Sequence, residues 1–138
     1  MKRIIAIDYG DARTGVAVSD LTGTLAGEAL TIQEWNAEKL AQRLAFFARE
    51  RDAEKFVLGL PKNMDGTEGP RAEKARQFKA LLEEASGLPV ILWDERRSTI
   101  EAHAILHAAG KKEKKHRANV DAVAATLLLE GYLPSPNR

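Results

Sequence analysis

The stretch IIAIDYGDARTGVAVSD, residues 4–20, does most to restrict what this chain can fold into. Residues 4–7 and 16–18 are apolar runs of strand length on either side of a short loop containing Gly10. Runs of this kind, separated by glycine-containing turn residues, read as neighbouring buried strands in a hairpin-like arrangement. Each run leads to an acid, Asp8 directly and Asp20 one residue after Ser19. A carboxylate is costly to bury without compensation. An aspartate closing a buried strand therefore marks a place where the sheet meets something polar or charged.

The rest of the chain extends this beginning. A second glycine turn, Thr22-Gly23-Thr24, leads to a third extended piece over roughly residues 25–35, so the opening three strands predict an antiparallel meander. The period then changes. Leu40, Leu44 and Phe47 recur at i, i+4 and i+7 within residues 37–51, the signature of an amphipathic helix. KFVLGLP at 55–61 is a continuous apolar run, and the loop NMDGTEG leads to a helix opened by Pro70 that reaches about residue 85. PVILWDE at 89–95 is a further short strand that also ends in acids. Ser98-Thr99-Ile100-Glu101 has capping-box spacing for a helix that stops near Gly110. In the last segment Val120, Val123, Ala124, Leu127 and Leu128 fall at helical spacing; the helix is expected to end at Gly131 and Pro134, with Asp121 in its first turn. Strands in succession, then strands alternating with helices, predict an α/β fold. Its five-stranded sheet is mixed, an antiparallel meander followed by parallel strands, and is flanked by helices.

Length and composition narrow the function classes. A chain of 138 residues without an evident linker reads as one domain over residues 1–138. No apolar run approaches the roughly 20 residues needed to cross a bilayer, and the start, MKRIIAIDYG, is too short in apolar residues for a signal-peptide core. The expectation is a cytoplasmic protein with no membrane partner. There is no cysteine, which excludes disulfides, thiol nucleophiles and cysteine metal sites. Net charge is only +1, yet KKEKKHR at 111–117 concentrates Lys111, Lys112, Lys114, Lys115 and Arg117 around one acid.

Asp8 closes the first strand, Glu95 the last, and Asp121 opens the final helix. In an open α/β sheet, sites form at the carboxyl ends of strands. Three carboxylates within about 4 Å would repel by roughly 1 to 4 kcal/mol per pair at effective dielectrics of 80 down to 20. The economical counter-charge is an oxygen-loving divalent ion, Mg2+ or Mn2+, since neither cysteine nor a suitable histidine set is available. Each acid alone has a plainer reading: Asp8 as the start of a turn before Gly10, Asp94 or Glu95 as a solvated strand end, Asp121 as a favourable charge near a helix N-terminus. Asp11, Asp20 and Asp65 sit among turn formers, and Glu101 is accounted for by its cap.

Read together, IDYGDARTGVAVSD, GLPKNMDGTEGPRA, DERRSTIEA and NVDAVAATLLLEGYL resemble the YqgF/RuvX family of Holliday-junction resolvases and pre-16S rRNA maturation nucleases. The likeness runs from Arg3 to Leu133. It implies an RNase H-like fold and a metal-dependent hydrolase acting on phosphodiester bonds. It also implies that Asp8, Glu95 and Asp121 are catalytic and hold two ions between them, with Asp8 as the bridging ligand. RNA, branched DNA or both would be the partners. A junction resolvase needs two active sites and hence a homodimer, whereas trimming an RNA end needs one. At position 97, where the family pattern has an apolar residue, this chain has Arg97, expected to face the groove or solvent.

Several residues are candidates for the nucleic-acid backbone. Arg13 and Arg96 lie beside Asp8 and Glu95 and suit charge-assisted bonds to phosphate. The basic loop, Lys111, Lys112, Lys114, Lys115 and Arg117, suits a backbone grip, and Lys62 and Asn63 lie in the loop after the fourth strand. His103 and His107 are four apart, but without a third ligand packing or solvent is the better reading. Trp35 and Trp93 are expected in the core. Two rivals stand beside the nuclease. Asp8-Tyr9-Gly10 followed by Thr14-Gly15 also resembles the first phosphate loop of actin-like ATPases, and a non-catalytic nucleic-acid or ribosome-assembly module would keep the basic loop without turnover.

Overall fold

The computed structural model describes residues 2–95 and 117–135. Strands β1 (Arg3–Asp8), β2 (Arg13–Ser19) and β3 (Ala26–Gln33) come first. Helix α1 (Ala37–Glu50), β4 (Ala53–Leu60), α2 (Pro70–Ser86), β5 (Val90–Asp94) and α3 (Arg117–Tyr132) follow. The strands form one sheet in the order β3-β2-β1-β4-β5. β1, β2 and β3 pair antiparallel, while β1, β4 and β5 run parallel. The mixed sheet expected from the sequence is the one the chain builds.

The position of β1 explains its composition. It lies between β2 and β4 and is covered on both faces, so Ile4, Ile5, Ala6 and Ile7 all have no exposed surface. Side chains alternate across a strand. Ile5 and Ile7, with Val16, Phe56 and Leu58, join the layer built by Leu40, Leu44 and Phe47 of α1 and Phe78 and Leu82 of α2. Ile4 and Ala6, with Ala17, Val57 and Trp93, pack instead against Ala125, Leu128, Leu129 and Tyr132 of α3. The sheet is therefore the middle of three layers. Its third layer is fixed partly by an edge-to-face contact of Trp93 on Tyr132, with ring centroids 5.3 Å apart.

Local signals set the element ends. Asn36 caps α1 by accepting the Lys39 N–H at 3.0 Å. α2 begins at Pro70 and ends at Gly87, whose φ of 71° is the left-handed conformation that glycine adopts without strain. Asp52, at φ 53°, makes the turn from α1 into β4. In the turn between β2 and β3, the Asp20 carboxylate accepts from the Thr22 hydroxyl at 2.8 Å and the Thr24 N–H at 3.0 Å. Those bonds hold the Asp20 carboxyl down at about 2. Ser19 is buried and satisfied, its Oγ accepting the Ile4 N–H at 2.8 Å.

Four expectations need correction. α3 starts at Arg117, so Asp121 is its fifth residue rather than part of its first turn. The helix also continues through Gly131 to Tyr132, because Leu129 and Tyr132 remain inside the core on either side of the glycine. Its core stripe is Ala125, Leu128, Leu129 and Tyr132, shifted from the expected one; Val120, Val123 and Ala124 are only partly buried. Trp35 is 75% exposed, since it sits in the connection before α1 and not under it. Trp93 is buried as expected. The helix expected to end near Gly110 lies outside the described residues. Among those described, no helix is long and apolar enough to cross a membrane.

Candidate active site at the carboxyl edge of the sheet

Strand alternation determines which acids meet. Asp8 continues the series Ile4 and Ala6, which faces α3, and Glu95 follows Trp93, which faces α3 as well. β1, β4 and β5 are parallel, so the carboxyl ends of β1 and β5 lie at the same edge with β4 between them. β4 carries Gly59 where the two carboxylates converge. A Cβ at Gly59 would overlap the Glu95 carboxylate. The missing side chain thus makes the space into which Glu95 folds across the strand.

The two acids are hydrogen bonded to each other. Burial, the Asp8 charge and the hydrogen bond to Asp8 push the Glu95 carboxyl up to about 7, so protonated Glu95 donates to the Asp8 carboxylate. Asp8 is raised too, mainly by burial; the hydrogen bond from Glu95 works against that rise, and the Asp121 charge adds to it. Arg71, the second residue of α2, acts on both acids in the opposite direction, favouring their charged forms.

Asp121 reaches the site from α3. Gly15, paired with Asp8 across the β1–β2 ladder, lies under it. A Cβ at Gly15 would overlap the Asp121 carbonyl oxygen and stand 2.6 Å from the carbonyl carbon, so only glycine lets the helix backbone come this close. Arg13, the first residue of β2, holds its Nε 3.8 Å from Asp121 Oδ2. The separation is that of an ion pair rather than a hydrogen bond. Asp121 therefore acts on Asp8 through its charge, and Asp8 and Glu95 form the tight pair. Among the described residues, no three His, Asp or Glu side chains are gathered into a ready-made metal cage.

The remaining sequence candidates divide. Arg13 comes to the site, facing Asp121. Asn63 is engaged in its own loop, its amide donating to Thr67 Oγ1 at 2.9 Å and its backbone N–H to the Thr67 carbonyl at 2.8 Å. Lys62 is half-buried and acts on Glu68 of the same loop. Asp11 pairs with Lys74, and Asp65 turns its loop by accepting from the Thr67 N–H at 2.9 Å, as its turn-forming neighbours suggested. Arg96, Arg97, Glu101, His103, His107, Lys111, Lys112, Lys114, Lys115 and His116 lie outside the described residues. Arg117 is the first residue of α3.

Sequence reasoning overlooked Gly15, Gly59 and Arg71. A glycine inside a strand pattern signals close approach of another group. A cation in the first turn of a helix that follows a parallel strand must lie at the carboxyl edge. Both signals were present in RTGVAVS, FVLGLP and GPRA.

A mixed five-stranded sheet with α1 and α2 on one face and α3 on the other, and acids at the edge where its parallel strands end, defines the class of RNase H-like folds. Comparison with known proteins agrees. The chain belongs to the RuvX family, described as Holliday junction resolvase, whose sequence model matches residues 2–135. A relative from Halothermothrix orenii, bearing the name "Putative pre-16S rRNA nuclease", is 42% identical over 99% of this chain and 97% of its own length. One of the same name from Bacillus subtilis is 40% identical over 98% of this chain and 99% of its own. Among solved structures, Thermus thermophilus RuvC in complex with a Holliday junction substrate matches with a TM-score of 0.59 at 13% identity, covering 94% of this chain and 92% of that one. That likeness is one of fold.

Proposed function

We propose that this chain is a divalent-cation-dependent nuclease whose site is Asp8, Glu95 and Asp121, and that its substrate is the 5′ region of pre-16S rRNA. The names of the relatives at 40–42% identity favour the RNA. A Holliday junction is the second candidate, on the family description and the junction-bound fold relative. The observation that carries the reading is the hydrogen-bonded Asp8–Glu95 pair at the carboxyl edge, with Asp121 adding negative charge.

The donor set suits Mg2+ or Mn2+. It consists of hard carboxylate oxygens, and burial first, then neighbouring carboxylate charge, raises Asp8 and Glu95, a penalty that a bound cation would offset. Asp8 would be the ligand that such ions share, and Glu95 and Asp121 would complete the set. When bound, these ions activate a water and stabilise the leaving oxygen of an in-line displacement. The chain's own residues do the rest. Glu95 would release to solvent the proton it shares with Asp8, leaving both carboxylates available as ligands. Arg13 holds Asp121 in place. The basic segment at 111–117 supplies sequence-independent attraction for the backbone.

The test is a cleavage panel with the purified protein and Mg2+ or Mn2+, comparing pre-16S rRNA fragments, four-way DNA junctions and single strands. Cleavage is expected to stop on chelation and to fall at least a thousandfold in Asp8→Asn. Undiminished cutting by that variant would remove Asp8 from the mechanism. Binding without cutting by the wild-type protein would instead identify a non-catalytic module.

A further inference from the structure

Beside the acids, on the α2 side of the sheet edge, lies a cleft of about 70 Å3 that the mechanism above leaves unused. Its lining includes Tyr9, Gly10 and Asp11 after β1, Gly59 of β4, and Arg71 and Lys74 of α2. The Tyr9 ring is fixed by stacking on Phe78, with centroids 4.3 Å apart and planes 4° from parallel. Residues three apart on a helix share a face. Arg71 and Lys74 therefore present two cations to the same opening.

Their engagements differ. The Arg71 charge acts on both Asp8 and Glu95 across the sheet edge. Lys74 Nζ lies 3.1 Å from Asp11 Oδ1, in a pair whose side chains are 56% and 79% exposed. Such exposed pairs contribute little to stability, so Lys74 exchanges Asp11 for another anion at little cost. A polyanion approaching the acids is repelled by the Asp8 and Asp121 charges, and the cations of α2 offset that repulsion. Arginine's planar fork matches phosphate oxygens bidentately, and lysine adds a point charge.

We infer that Arg71 and Lys74 form a phosphate subsite that grips the backbone phosphate next to the one being cut, leading the strand over the β1–β4 edge towards α2. Asp11 is its built-in competitor, holding Lys74 until nucleic acid displaces it. The inference rests on the nuclease reading and extends it by giving the strand a direction.

The experiment measures binding of a labelled four-way DNA junction and a labelled single-stranded RNA by the full chain in chelator, across a salt series. Cleavage in Mn2+ is assayed separately. Arg71→Gln and Lys74→Gln are each expected to lower the slope of log K against log salt by about 0.7 to 0.9, one lost phosphate contact. Arg71→Lys should recover part of the lost affinity. Asp11→Asn should tighten binding severalfold by releasing Lys74, and that gain should vanish when it is combined with Lys74→Gln. A merely structural role for α2 would not produce the gain. Unchanged slopes in folded Arg71→Gln and Lys74→Gln overturn the inference. If those variants fail to fold, the exposed Asp11→Asn decides, and no gain in affinity overturns it. Wild-type protein that binds without cutting would remove the nuclease reading, while the slopes would still judge the subsite.

Discussion

At the scale of single residues, the Asp8–Glu95 pair makes the site a source of instability whenever no cation is present. Glu95 has its carboxyl at about 7 in the folded protein against 4.5 ordinarily, and Asp8 is shifted in the same direction. Between those two values the native state holds a proton that the unfolded chain has released. Stability must then fall as pH rises from about 4.5 through 7, with the whole deficit present above 7. Urea unfolding in chelator should show a loss of roughly 1 to 3 kcal/mol between pH 5 and pH 8. Glu95→Gln should flatten most of that decline, and an equally steep decline in the variant would disprove the cause. The two glycines should separate. Gly59→Ala meets the flexible end of Glu95, so it should cut activity at least tenfold with little change in melting temperature. Gly15→Ala meets the backbone of α3 and should cost about 1 to 3 kcal/mol in urea unfolding as well as activity. Asp8 was legible in the sequence because a charge after four apolar residues is conspicuous. Arg71 was not, because an arginine in a helix turn is ordinary until the topology shows which edge it faces.

At the scale of elements, the sheet was readable and the last helix only partly so. β1, β4 and β5 are covered or nearly covered runs of β-branched and apolar residues, and period-2 alternation sorts their faces. α1 declares its stripe because the opposite side is strongly charged. α3 does not: residues 120–129 are almost uniformly apolar, so several stripes fit equally well and the packing against β1–β3 decides. That choice is measurable. Leu128→Ala, in the stripe, should cost about 2 to 5 kcal/mol. Val123→Ala, half-buried off it, should cost less than half as much. Equal losses in denaturant titrations would mean that the helix is rotated from the orientation described. Trp35 misled for a related reason. An aromatic residue in a connection has no neighbours in the periodic pattern to fix its side, and here it points to solvent.

At the scale of the whole molecule, a net charge of +1 hides a division of labour between acids at the sheet edge and basic residues at 111–117. Neutralising Lys111, Lys112, Lys114 and Lys115 together should weaken nucleic-acid binding and lower its salt slope by about 3, with no change in metal-free stability. An unchanged slope would make that run an ordinary solvated one. The three acids also lie far apart in the chain, at 8, 95 and 121, and the third belongs to the helix that covers one face of β1, β2 and β3. Synthesis therefore delivers the parts in order, and the apolar face beneath α3 stays uncovered until residues 117–132 have been made. A growing chain not yet extended past residue 120 would hold two of the three acids proposed for the site. On the proposed assignment, competence to cut would arrive only with the closing helix.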